Sequence, residues 1–194
     1  MARPTKDQIE ARIIAAVTQT AAADGIGATS MAAVARAARV SAGTLYLHFS
    51  SKEDMLQQVY LRLKHAFHAQ LMQAAHDAPD PRAAIEAMWR ALLAFQQADP
   101  NAFLFLEYAG AAQVLTEAQK SGVAPLQQEV NAILQRALDA GILTVPSLDI
   151  AVTLLIGPAL QLARRHALAG TPVPDIEARQ TFERIWTCLT LPLP

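Results

Sequence analysis

The chain has 194 residues, of which 53% are hydrophobic and 17% charged, and its formal net charge is -1. This composition excludes a largely disordered chain, and the charge balance gives no strongly basic field to indicate nucleic-acid binding. The single Cys188 excludes an intramolecular disulfide framework, and no secretory signal or membrane-spanning apolar run is visible, so we expect a cytoplasmic protein with no membrane partner.

The first 50 residues predict three helices, each opened by a capping hydroxyl group. Their expected N-caps are Thr5 (in a capping box with Gln8), Thr29 and Ser41, and their expected ends lie near Gly25, Ala38 and Phe49. Ser50 with Glu53 predicts another capping box, which opens a long fourth helix running to about Asp77.

The remainder of the chain shows further start and stop signals and no strand pattern. Helices are expected to open at Asp80, Asp99, Thr116, Pro125, Ser147 and Asp175, with breaks at Gly122, Gly141, Gly170 and before Pro192. The fold class predicted is therefore all-α. Its organisation is an N-terminal three-helix unit over residues 1–50 and, over 51–194, a linking helix with a C-terminal helical body.

The segment 29–55 has the pattern of a helix-turn-helix, in which a second, recognition helix enters the DNA major groove. Val40, Leu45 and Phe49 recur at a spacing that places them on one inward face. The remaining side chains of that helix are small, hydroxylated or aromatic and are expected to face outward. An exposed aromatic group beside small hydroxyl groups suits the wall of a DNA groove.

The run from Val40 to Glu53, VSAGTLYLHFSSKE, resembles the G-V-S-x-G-T-L-Y-x-[YH]-F-x-[ST]-K-E pattern of the tetracycline-repressor (TetR/AcrR) family. The resemblance implies a dimeric DNA-binding regulator, with three residues nearest the base edges and the others holding phosphates. The base-edge candidates are Ala42, Gly43 and Thr44. The other DNA-binding candidates are Ser30, Arg39, Ser41, Tyr46, His48 and Lys52.

Two positions depart from the family pattern. Arg39 occupies the usual turn glycine, a position that tends to need positive φ, which predicts about 1 kcal/mol of strain. Ala42 stands where members often have Lys, Arg or Pro, so a thymine methyl group is an expected contact. Lys52 lies in the first turn of its helix, where a cation opposes the helix dipole unless an anion is bound nearby.

Aromatic residues concentrate on two consecutive helices of the C-terminal body and predict either a plain core or a pocket for a small-molecule effector. The candidate effector-binding residues are Leu63, Phe67, Trp89, Phe95, Phe103, Glu107 and Tyr108. His65 and His68 stand three apart, but no carboxylate or cysteine joins them at ligand spacing, so neither a metal nor another cofactor is expected.

The last two predicted helices are apolar over more than one face, which suits a homodimer interface. Enzyme motifs such as a phosphate loop or a G-x-S-x-G elbow are missing from the sequence, so an enzyme is not expected. The sequence therefore favours a ligand-responsive repressor that binds a palindromic double-stranded DNA operator as a dimer. One alternative is a small-molecule sensor or carrier with a vestigial DNA head; another is a helical enzyme.

Overall fold

The computed structural model describes residues 5–191, which form nine helices. They are α1 (Lys6–Ala28), α2 (Met31–Ala38), α3 (Ala42–His48), α4 (Lys52–His76), α5 (Pro81–Ala98), α6 (Pro100–Ala111), α7 (Glu117–Asp139), α8 (Leu148–Ala169) and α9 (Asp175–Thr190). Since this range contains no strand, the all-α prediction is confirmed.

The described residues divide into two compact units. The first unit consists of the residues up to Lys64 together with Asn101–Lys120, and the second of His65–Pro100 together with the residues from Ser121 onward. Helices α4 and α7 each contribute residues to both units. The domain boundary predicted at residue 50 is not tested by this division and stays a prediction.

The core of the first unit joins α1, α2 and α3 to the beginning of α4 and to α6. Its fully buried side chains include Ile13, Val17, Val34, Leu45 and Phe105. Phe49 is also buried and Val40 packs against the same cluster, so the inward face predicted for the third helix is confirmed. Helix α3 is therefore held by its apolar side chains, which leaves its other face outward.

The entry into α2 differs by one residue from the prediction. Ser30, not Thr29, is the N-cap, and its hydroxyl oxygen accepts a hydrogen bond from the Ala33 amide at 3.2 Å. The Thr29 hydroxyl instead donates to the Gly25 carbonyl at 2.9 Å. Gly25 has φ 82°, a left-handed conformation that glycine adopts at little steric cost. The Thr5–Gln8 capping box at the start of α1 is present as predicted.

The turn between α2 and α3 has the strained backbone that the sequence predicts. Arg39 is left-handed, with φ 53° and ψ 47°, and its amide donates to carbonyl groups at the end of α2. The Arg12 guanidinium group on α1 donates to the Arg39 carbonyl at 2.8 Å and also to the Ala38 carbonyl. Arg12 therefore ties the turn to the first helix.

The capping arrangement predicted at the start of α4 is shifted by one residue. The Ser51 hydroxyl oxygen accepts from the Asp54 amide at 3.1 Å, while the Asp54 carboxylate accepts from the Ser50 amide at 2.8 Å and from its hydroxyl at 2.9 Å. Hydrogen bonds from Gln58 and Ser50 lower the pKa of the Asp54 carboxyl group. Asp54 thus bonds both serines, through its amide to Ser51 and through its carboxylate to Ser50, and Glu53 takes no part.

The prediction of two helices separated at Gly122 is wrong. A single helix, α7, runs through Gly122 and Pro125, although an internal proline removes one backbone hydrogen bond. The Thr116–Gln119 capping box opens it as predicted, with Gln119 donating its amide to the Thr116 hydroxyl at 3.3 Å. Burial of Val130 and Leu134 farther along α7 offsets the proline.

In the second unit, α5 packs against α8 and α9, and α8 against α9. The predicted caps at Asp80 and Ser147 are present, as is the left-handed stop at Gly170. At the end of α8, Arg165 and His166 both bind the Glu177 carboxylate of α9, and these hydrogen bonds, that from Arg165 first, lower its pKa.

We predict that Arg39→Gly raises the stability of the protein by roughly 1 kcal/mol, because glycine relieves the left-handed strain. Gln113, with φ 52°, is the other non-glycine residue with positive φ among the described residues, and Gln113→Gly is the matched control. Urea unfolding should show a similar gain for both variants. A loss of stability in Arg39→Gly alone would mean that the arginine side chain stabilises the fold.

Candidate nucleic-acid interface

The outward face of α3 consists of the residues predicted to bind DNA. Ser41, Ala42 and Gly43 are exposed at its N-terminal end, and Tyr46 is 58% exposed near its C-terminal end. Thr44 and His48 are half-buried. The structure therefore brings the six predicted residues of this segment together on one accessible surface.

Ser41 and Thr44 form a coupled pair of hydroxyl groups at the N-terminus of α3. The Ser41 oxygen accepts the Thr44 amide at 3.0 Å as the helix N-cap, and the two hydroxyl oxygens lie 2.8 Å apart. Either hydroxyl can be the donor in this contact. The pair fixes the Thr44 side chain in one orientation beside the first turn, where unpaired amides favour an anion.

Gly43 is not required by its surroundings in the protein. A Cβ atom added there meets only the Ser41 hydroxyl oxygen, at 3.8 Å, which is ordinary van der Waals contact, and no positive φ is involved. Neither backbone conformation nor internal packing therefore calls for glycine. A residue without a side chain at this position allows an external surface to approach the α3 backbone closely.

Lys52 lies in the first turn of α4 and its ammonium group donates to the Gly27 carbonyl of α1 at 2.6 Å. This contact was not expected from the sequence. It holds the charge near the ends of two helices, and the two remaining ammonium protons can still be donated to another acceptor. Ser30 and Arg39, the other predicted residues, are exposed at the N-cap and the C-cap of α2.

Sequence reasoning missed two residues of this surface. Leu47 is 87% exposed on α3, four residues after Gly43 and three after Thr44, so the three residues share one helical face. That spacing was the available signal. Arg12 was missed because its partners in the turn, Ala38 and Arg39, lie 26 and 27 positions farther along the sequence. No local pattern indicates a pairing over that separation.

The seven candidate effector-binding residues divide between the two units. Leu63, Phe103, Glu107 and Tyr108 belong to the first unit, and Phe67, Trp89 and Phe95 to the second. In the first unit, Phe103 is buried and the other three are half-buried. Burial, and secondarily the charge of Glu107, raises the pKa of the neighbouring Tyr60 hydroxyl.

In the second unit, the rings of Phe67 and Phe95 lie 4.7 Å apart, and the Trp89 ring meets Phe182 edge-on at 5.7 Å. The indole nitrogen of Trp89 and both amide atoms of Gln96 are buried without a hydrogen-bond partner. An unpaired buried polar group costs about 1–3 kcal/mol. Gln96 was not predicted, because a glutamine on this helix forms no pattern that distinguishes it from an exposed one.

The histidine pair considered for a metal has another arrangement. His68 Nε2 lies 2.9 Å from a carboxylate oxygen of Glu129. Within residues 5–191, no group of three or more His, Cys, Asp or Glu side chains is arranged to hold a metal ion. In the same range, no helix combines the length and the apolarity that crossing a membrane requires.

The three-helix unit and its exposed third helix have the arrangement of a helix-turn-helix. Residues 13–59 match the family model of bacterial regulatory proteins, tetR family. An HTH-type transcriptional regulator of Haemophilus influenzae is 29% identical over 99 residues, and that match spans 51% of this chain and 53% of the relative. The chain thus matches about half the length of this curated relative.

Solved structures share the whole fold. A TetR family transcription regulator from Marinobacter aquaeolei has a TM-score of 0.84 at 18% identity, over 94% of this chain and 96% of that one. One from Rhodococcus has a TM-score of 0.79 at 21% identity, over 96% and 98%. Residues 13–59 therefore resemble the DNA-binding part of the tetR family, and the chain as a whole shares the fold of these solved structures.

We predict that Gly43→Ala folds normally, with a stability unchanged or raised by up to about 1 kcal/mol, and loses about tenfold or more in DNA affinity. The added methyl group lies on the surface that is predicted to approach DNA. Gly122→Ala is the matched control, since Gly122 is also helical with nothing near its Cβ position. Gel-shift titration of both variants checks this, and equal DNA affinity of Gly43→Ala and wild type would contradict it.

Proposed function

We propose that this protein is a homodimeric repressor that binds a palindromic operator in the cytoplasm and is released by a small, largely apolar effector. The observation that carries the DNA-binding part is the exposed face of α3, where unpaired helical amides, two coupled hydroxyl groups and an exposed tyrosine surround a glycine. Two such helices in a dimer would enter successive major grooves, about 34–36 Å apart.

The proposed contacts follow from the position of each side chain on α3 and its flanks. Ala42, Gly43 and Thr44 read base edges, because they occupy the exposed first turn of the helix. The phosphate contacts come from Ser30, Arg39, Ser41, Tyr46, His48 and Lys52. Lys52 suits this role because the Gly27 carbonyl already orients its ammonium group.

Electrostatic attraction supplies only a small share of this affinity. Residues 1–55 carry six Lys or Arg and five Asp or Glu, so their formal charge is 6 − 5 = +1. Each neutralised phosphate contributes about 0.9 to the slope of log affinity against log salt concentration. Since only Arg39 and Lys52 among the proposed phosphate contacts are Lys or Arg, we expect a shallow salt dependence, with specificity that depends on contacts at the base edges.

The dimer interface is proposed on α8 and α9. Ile150 and Leu154, four residues apart on α8, are 40% and 38% exposed, and Ile176 on α9 is 51% exposed. Pro158 and Ile176 line an open groove together with Arg179 and Glu183 of α9. Leu155 of α8 and Leu189 of α9 are instead buried in the protomer itself.

The effector acts as a shift between populations of two forms of the repressor. A molecule that binds both forms equally well changes nothing, so the effector must bind the form with low DNA affinity more tightly. The buried aromatic side chains of α5, Trp89 and Phe95, support a mainly apolar effector, since apolar surface is what they offer to contact.

The direct test is to select fragments of the source genome with the purified protein and to sequence those that bind. A recurring palindrome supports the repressor, and its genomic neighbours are the candidate regulated genes. Transcription from such a promoter should fall when the protein is added. Binding of small molecules without any recurring DNA sequence would instead support a sensor or carrier with a vestigial DNA head.

Thr44→Val should reduce operator affinity by about 1–3 kcal/mol at one base pair per half-site, because it removes the hydroxyl and keeps the shape. The N-cap formed by Ser41 does not depend on that hydroxyl, so α3 should persist. Thr44→Ser, which keeps a hydroxyl group, is the control. Titration against operators substituted at each position measures the effect; a uniform loss on all operators would assign Thr44 to the DNA backbone.

Leu154→Arg should convert the dimer into a monomer at micromolar concentration, because an arginine would be buried unpaired against an apolar partner surface. Leu47→Arg introduces the same residue at an exposed leucine of α3 and should leave the dimer intact. Sedimentation equilibrium distinguishes the two states. A Leu154→Arg variant that remains dimeric would place the interface elsewhere.

A further inference from the structure

The second unit contains polar side-chain atoms that its fold does not use. Gln96 on α5 is 1% exposed, and neither its amide nitrogen nor its amide oxygen has a hydrogen-bond partner. The indole nitrogen of Trp89, on the same helix, is likewise buried and unpaired. Buried polar groups in native proteins are nearly always paired, so each exception requires a physical explanation.

Folding alone does not explain Gln96. The other buried side chains of α5 are apolar, among them Met88, Leu92 and Leu93. A methionine or leucine at position 96 would fill a similar volume without the loss of hydration that an unpaired amide suffers. The amide therefore opposes stability in the free protein, and its hydrogen bonds are available to a bound molecule.

Gln96 and Trp89 lie on the same side of α5. They are seven residues apart in the sequence, which is close to two turns of an α-helix and separates their backbones by about 10 Å along the axis. The Trp89 ring is fixed edge-on against Phe182, so its position is set by packing while its N–H group stays unpaired. A molecule that contacts both groups must therefore be elongated, about two helical turns long.

The unpaired atoms define the chemistry of that molecule. Gln96 offers a donor and an acceptor, and Trp89 a donor only. Apart from Gln96, the one buried polar side chain of the second unit within the described residues is His68, which Glu129 already engages. Since none of the described Lys, Arg, Asp or Glu side chains of the second unit is buried, a charge on the ligand would lack compensation there, and we infer that its buried part is neutral.

We propose that Gln96 and Trp89 are the polar recognition groups of the effector site, and that the effector is an uncharged, elongated apolar molecule. One end of the effector carries a group that donates and accepts hydrogen bonds, such as a primary amide. A hydrogen-bond acceptor lies farther along the same molecule. This inference names the ligand class of the effector response proposed above and rests on that function.

Octanamide and methyl octanoate are suitable probes, because both are neutral eight-carbon acyl chains and only octanamide donates hydrogen bonds. Calorimetry with the full-length protein should show octanamide binding about tenfold or more tightly than methyl octanoate, since a site built for a hydrogen bond rejects a ligand that lacks it. Gln96→Met should remove or invert this preference and should melt at the same or a higher temperature than wild type.

Two further variants complete the test. Trp89→Phe should lower the affinity for 8-hydroxyoctanamide, which has a second acceptor, to that for octanamide. Gln135→Met replaces an exposed glutamine of α7 that bonds Asp139 and should change neither preference nor affinity. Octanamide should also release the wild-type protein, but not Gln96→Met, from its selected DNA.

The proposal is overturned if wild-type protein shows no octanamide binding at millimolar concentration, or if Gln96→Met keeps the preference for octanamide. A Gln96→Met variant that melts several degrees lower would also overturn it, because the amide would then be paired within the fold. If DNA selection finds no operator while the Gln96-dependent preference holds, the repressor function fails and the site stands. If DNA selection finds an operator while the Gln96-dependent preference is absent, the proposed site is rejected and the repressor function stands.

Discussion

The left-handed backbone of Arg39 determines the direction in which α3 leaves α2, and the DNA contacts proposed for α3 depend on that direction. Arginine adopts this conformation only against a steric penalty. Arg12 supports it from α1 by donating hydrogen bonds to the Ala38 and Arg39 carbonyls. A long-range side-chain contact thus holds a backbone conformation that a glycine would adopt unaided.

Along α3, too, some side chains hold the helix in place and others face outward. Leu45 is fully buried and Leu47 almost fully exposed, although both are leucines two residues apart on one short helix. Burial of the first anchors the helix, and exposure of the second adds an apolar group beside Gly43 and Thr44. Residue type alone does not distinguish these roles; the position on the helix does, because only one face can reach the core.

Sequence patterns predicted what is local and missed what is distant. The caps at Thr5, Ser41 and Ser147 followed from hydroxyl groups preceding apolar periodicity, and the positive φ of Arg39 followed from the glycine that the family pattern has at this position. The break predicted at Gly122, with a new helix from Pro125, was wrong, because burial of later α7 residues outweighs the local helix breakers. The carbonyl partner of Lys52 and the unpaired state of Gln96 depend on tertiary packing, which no short pattern encodes.

Helix α3 has seven residues, fewer than two full turns, and a peptide of that length does not remain helical in water. The helix is therefore stabilised by its packing against the hydrophobic core of the first unit. A small loss of packing in that core would unfold α3 while the rest of the chain stays folded. In a genetic screen, substitutions at Leu45 or Ile13 would then have the phenotype of operator-contact mutants, although neither side chain touches the solvent.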